Sequence, residues 1–153
     1  MGMIPMIESQ IFQPVVALLA WTMVMWLWMY ATRIPAMSQS DQLPPISQIK
    51  GGKGTDLDAI LPAEVQWKAH NYNHLHEQPT VFYAVCLVLA LAGQGDGMNA
   101  LLAWIYVGLR IIHSLVQVTA NVVMVRFILF ALSSLVLIAL IFHAAVFAFD
   151  IHL

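Results

Sequence analysis

Two long stretches without a formal charge, from Glu8 to Arg33 and from Arg126 to Asp150, constrain this chain more than anything else in it. A bilayer's hydrocarbon core takes about 20 helical residues to cross, and Ile11 to Ala31 supplies such a run. Lipid also dictates the conformation, because each backbone N–H and C=O must then find its partner within its own helix. Hydrophobic residues make up 61% of the chain and charged residues 9%, where a soluble domain has about a quarter charged. The implied solvent is hydrocarbon. Trp26, Trp28 and Tyr30, just before Arg33, have the amphipathic rings found at headgroup level. The first stretch lacks a basic n-region and is too long for the h-region of a signal peptide, so it is read as a retained anchor.

The fold expected is all-α: an integral membrane four-helix bundle with antiparallel up-down topology, a single domain over residues 1–153. Periodicity and turn residues put its helices at about 10–31, 63–92, 98–118 and 123–149. Residues 32–61 are rich in Pro, Gly, Ser, Gln and Asp, including Pro44-Pro45 and Lys50 to Gly54, and form a polar loop. Pro62 suits a helix start, Gly93 to Gly97 a tight turn, and Asn121 another. Pro79 is expected to kink the second helix inside a protected bundle. Arg33, Lys50 and Lys53 lie in the first loop and Arg126 beside the third. The positive-inside rule then puts both connections in the cytoplasm and both termini across the membrane.

Six Lys and Arg against eight Asp and Glu, with no basic run, lack the electrostatic footprint of a nucleic-acid binder. Cys86, the one cysteine, can form no internal disulfide and reads as a small buried hydrophobe. Trp21, Trp67 and Trp104 read as packing or interfacial groups.

Polar chemistry is concentrated on two helices. In the second, Gln66, His70, Asn73, His74 and Glu77 fall on one stripe at about 100° per residue, while Lys68 and Tyr72 point the other way. In the third, Tyr106, Arg110, His113, Ser114 and Gln117 recur at spacings of three or four. Placing an Arg at helix centre against lipid costs about 2.5–3.5 kcal/mol even on insertion scales, so these groups are expected to face a bundle interior or a wet cavity. Glu77 and Arg110 reach a similar depth and are expected to pair. Arg126 opens the fourth helix on the same side, with Ser133 deeper on its face. His143 and His152, toward the opposite face, are assigned no chemistry.

The run Lys68 to Phe82, then Tyr106 to His113, then Arg126, resembles the membrane-associated proteins in eicosanoid and glutathione metabolism, a family that includes microsomal glutathione transferases and leukotriene synthases. The resemblance covers about Glu64 to Ala139. The family's helix-two pattern of base, Asn, acid and Pro is matched by Lys68, Asn73 or Asn71, Glu77 and Pro79, with Lys where Arg is usual. It implies a homotrimer that binds glutathione between subunits, open to the cytosol, and meets lipophilic substrates arriving from the bilayer. Carried onto this chain, it implies glutathione contacts from Arg33, Lys68, His70, Asn73, Glu77, Arg110, His113 and Gln117, with Arg126 as the catalytic group that stabilises the thiolate. Independently of the family, guanidinium forks suit the tripeptide's carboxylates, a carboxylate suits its amino group, and Asn and His suit its amides.

The function expected is a membrane glutathione transferase or peroxidase, with glutathione as co-substrate and no metal. Two other readings stay open. One is a non-catalytic lipid-binding or scaffold subunit of the same fold; glutathione titration discriminates it. The other is a metal enzyme using His70, His74 and Glu77 with His113, since two His one turn apart can ligate.

Overall fold

A computed structural model of the chain describes residues 8–151; the expected placement of the two termini, and His152, lie outside the described residues. Among these residues there are five α-helices: α1 (Phe12–Ser38), α2 (Ala63–His74), α3 (Gln78–Leu91), α4 (Met98–Val118) and α5 (Val123–Ala148). Two short 3-10 helices, Ile46–Gln48 and Gly54–Ala59, interrupt the loop between α1 and α2. Three helices, α1, α4 and α5, are long and apolar enough to cross a membrane.

The single helix expected over about 63–92 is instead two, α2 and α3, parted at Leu75–Glu77. The cause is Pro79, which has no N–H to donate to the Leu75 carbonyl and whose ring would strike it. The chain answers by tightening: His76 N–H donates to Asn73 O at 2.9 Å and Glu77 N–H to His74 O at 3.3 Å, after which Glu77 departs from helical geometry with ψ −99°. Pro79 then lies in the first turn of α3, where its missing donor is harmless. The kink anticipated at this proline is therefore a full break.

The first helix runs on to Ser38 rather than to about 31, so Arg33 is a helical residue and not part of the loop. The helix runs through Pro35, which has no N–H for the Ala31 carbonyl, and ends only where the loop's polar residues begin. At the other end of α3, Gly93 takes φ +70° and closes a Schellman turn, Gln94 N–H donating to Leu89 O at 2.8 Å and Gly93 N–H to Ala90 O at 3.0 Å. Helices α4 and α5 pack against each other most extensively, α1 lies against α2 and α4, and α3 lies against α5.

The packing inverts the soluble pattern. Arg110, Gln66, Asn71, His113, Ser114, Gln117 and Ser133 are buried, whereas Val16, Leu27, Phe127, Leu135 and Ile138 lie on the outside. Five of the ten buried residues of α4 are the stripe read from spacing, Tyr106, Arg110, His113, Ser114 and Gln117, and Asn99, Ala100, Ala103, Val107 and Val118 complete the buried face. Phe82 stacks on Tyr106 with ring centroids 4.4 Å apart, joining α3 to α4. Cys86 is buried in the apolar core.

Candidate functional site

The break between α2 and α3 organises the polar groups. A helix that stops leaves its last carbonyls short of donors, and His74 O at the end of α2, which takes the Glu77 N–H at 3.3 Å, also accepts from Arg110 Nη2 at 3.3 Å. The guanidinium, 1% exposed, thus caps α2 from α4, placing positive charge at the negative end of the helix dipole. It also lies 5.9 Å from the Phe130 ring on α5, tying three helices together. Its Nε and Nη1 have no partner among the described residues.

Glu77 does not pair with Arg110; among the described residues the ion pairs are His74 with Glu77 and His70 with Asp58. Glu77 Oε2 accepts from His74 Nδ1 at 2.8 Å, a pair three residues apart that spans the end of α2. His74 is held between two rings, His113 at 5.0 Å and Phe130 at 5.7 Å.

A cavity of about 410 Å³ opens beside this junction. From α2 and the junction come His70, His74 and Glu77; from α4, His113 and Gln117; from α5, Arg126 with Val123, Phe127 and Phe130. The lining therefore carries a carboxylate, imidazoles, an amide and a guanidinium beside three apolar side chains, Val123, Phe127 and Phe130. His113 Nδ1, Gln117 Oε1 and Arg126 Nε are enclosed and without partners among the described residues.

The expected site residues divide between two places. His70, Glu77, His113, Gln117 and Arg126 come together around this cavity. Arg33 and Asn73 line a second cavity of about 320 Å³ between α1, α2 and the loop, with Lys53, Asp58 and, on the shared wall, His70. There Arg33 Nη2 donates to Gln66 Oε1 at 2.8 Å and to Gly54 O at 3.2 Å, and His70 Nε2 lies 3.0 Å from Asp58 Oδ1, so the loop is strapped onto the helices. Lys68 lines neither cavity; its Nζ donates to Glu64 O at 2.7 Å. Arg110 lines neither and sits behind the first.

The single polar stripe expected on α2 is thus split, for its buried residues are Gln66, Ala69 and Asn71, while His70 and Asn73 are exposed. Asn71 is wholly buried with neither side-chain atom partnered among the described residues, which makes it the Asn that faces the interior. Gln78 is a further polar residue that spacing missed. It accepts from Tyr106 Oη at 3.2 Å and donates to Ser134 Oγ at 2.7 Å, locking the start of α3 to α4 and α5. A proline one residue later was the available signal.

Among the described residues no three His, Cys, Asp or Glu groups are gathered as metal ligands. Of the residues that spacing suggests as ligands, His70 meets Asp58 rather than His74 or Glu77.

Polar groups packed inside, apolar groups outside and three helices long enough to cross a bilayer define the α-helical membrane class. Within it, residues 11–146 match the model of the MAPEG family, and the chain belongs to that family. Neither the curated proteins nor the solved structures contain a match to it.

Proposed function

We propose that this protein is a membrane glutathione transferase or glutathione-dependent peroxidase that binds glutathione in the cavity between α2, α4 and α5. The observation that carries the reading is the convergence of Glu77, His113, Gln117 and Arg126 from separate elements on one cavity. Its volume of about 410 Å³ falls within the range of roughly 300–1,000 Å³ usual for small-molecule sites. Glu77 suits the tripeptide's amino group, Gln117 and His113 its amides, and Arg126 its thiolate or a carboxylate. Phe127 and Phe130 open the same cavity to an apolar surface, from which lipophilic electrophiles or lipid peroxides would enter.

Arg126 is the group assigned to thiol activation. A thiol of pKa about 8.5 is only a few per cent thiolate at neutral pH, and the thiolate is the nucleophile. A guanidinium favours the anion and cannot give up its own proton. In this reading α2 and α3 together make a second crossing, so the chain crosses four times, with the loop and cavity toward the cytoplasm. The protein assembles as a homotrimer, with Arg33 and Asn73 in the second cavity positioned for a neighbouring subunit's glutathione.

A second reading, a lipid-binding subunit without chemistry, draws on the placement of Arg110 and Lys68. Neither reaches the cavity, which leaves fewer charges for the tripeptide's carboxylates. Calorimetric titration of the purified protein with glutathione separates the two. Saturable binding that Glu77→Gln weakens supports the transferase or peroxidase, and no binding to the wild type leaves the scaffold.

A further inference from the structure

We propose that His74 and Glu77 form an imidazole–carboxylate dyad that takes the proton from the thiol bound in this cavity, an inference that rests on the glutathione reading above. Spacing alone sets His74 on the α2 stripe and gives it no part in thiol chemistry. The structure gives it four restraints. Its Nδ1 meets Glu77 Oε2 at 2.8 Å, its ring packs on His113 and on Phe130, and its backbone carbonyl is gripped by Arg110 Nη2 at 3.3 Å.

A carboxylate on Nδ1 fixes the tautomer, because Nδ1–H must donate to it. Nε2 is then the nitrogen with the free lone pair. The residue lines the cavity together with Arg126, so a thiol held there meets both a proton acceptor and a cation. This is the logic of a base oriented by a third group. The pair sits at the junction itself, three residues apart across the end of α2.

The step balances within the chain. The S–H bond breaks, its electron pair stays on sulfur, and a new N–H bond forms at His74 Nε2. Glu77 stabilises the imidazolium and Arg126 the thiolate. When sulfur bonds to the electrophile, the anion generated there, or the leaving group, takes the proton from Nε2 and restores the neutral ring. The charged and titratable groups around the ring are Glu77 at the junction, His70 on α2, His113 and Arg110 on α4, and Arg126 on α5. Arg126 sets how much thiolate is present at equilibrium, whereas the dyad sets how fast it forms.

The test is rapid mixing of the full chain, purified in detergent, with glutathione, following thiolate by its ultraviolet absorbance. The His74→Ala variant is expected to bind glutathione within a few-fold of the wild type but to form thiolate about a hundredfold more slowly, the scale of general-base catalysis. Free imidazole should restore part of that rate, which it could not do for a merely structural defect. Glu77→Gln, which keeps the side chain's shape, should slow the step less and gain nothing from imidazole. Thiolate formation at the wild-type rate in both variants, or a slowed rate in His74→Ala that imidazole does not lift, overturns the dyad alone. Absence of glutathione binding to the wild type overturns the functional reading and the dyad with it.

Discussion

The two ends of the helical stack use polar groups in opposite ways. At the Gly93–Gly97 turn they satisfy one another, Ser9 Oγ excepted. Gln10 N–H donates to Asp96 Oδ1 at 2.7 Å, Ile11 N–H to Gly95 O at 2.9 Å, and Asn99 Nδ2 to Gln94 O at 2.8 Å, while His143 Nδ1 lies 2.6 Å from Asn99 Oδ1. At the break between α2 and α3, Asn71, His113, Ser114, Gln117 and two nitrogens of Arg110 are enclosed without partners among the described residues. A buried polar group left unpaired costs about 1–3 kcal/mol. A protein that closes one end so completely could close the other with the same residue types. The open end is therefore read as the part shaped for a ligand, and the closed end as the clasp that holds the helices in register.

This comparison can be broken by substitution. Arg110→Ala should have the largest effect on stability, about 3 kcal/mol by melting in detergent, since it empties a buried volume and uncaps α2. An unchanged melting temperature would mean that the guanidinium contributes nothing to the join. Gly95→Ala comes next, at about 1–3 kcal/mol by overpacking. A Cβ there would collide with Ser9 Oγ and lie 2.9 Å from Ile11 Cγ2, breaking the clasp at the closed end without touching the cavity. Glutathione affinity per folded molecule should not move; if it does, the two ends are not separable.

His143→Leu should cost about 1 kcal/mol, the net worth of one hydrogen bond, and leave glutathione binding unaltered in a titration. The smallest effect is expected for Glu77→Gln, less than about 1 kcal/mol of stability, because the Glu77 side chain is 67% exposed and such pairs contribute little. Its effect should appear in binding and thiolate formation. A large loss of stability from Glu77→Gln would move this residue from the ligand end's chemistry to its architecture.

How much of this could be read in the sequence follows from the physics of each element. The polar stripe of α4 was legible because a continuous helix keeps its period, and Arg110, His113 and Gln117 are buried together as their spacing required. The α2 stripe was not, since the helix ends at His74 and its buried face turns out to hold Asn71 rather than Asn73. Pro79 marked the place but not the severity of the break, and the partner of Arg110, the His74 backbone carbonyl at that break, carries no mark in a side-chain pattern. The Arg33–Gln66 contact and the His70–Asp58 tie depend on how the loop folds back, which local spacing does not encode.

The most direct test of the central claim is the ultraviolet difference spectrum on adding glutathione to the wild type and to Arg126→Ala. A thiolate band is expected in the wild type. The variant should bind glutathione within a few-fold yet lose most of that band, with turnover falling by about one to two orders of magnitude, the equivalent of roughly 2 kcal/mol. A wild type without the band, or a variant that retains it in full, would contradict the assignment of the open end as a site for an activated thiol.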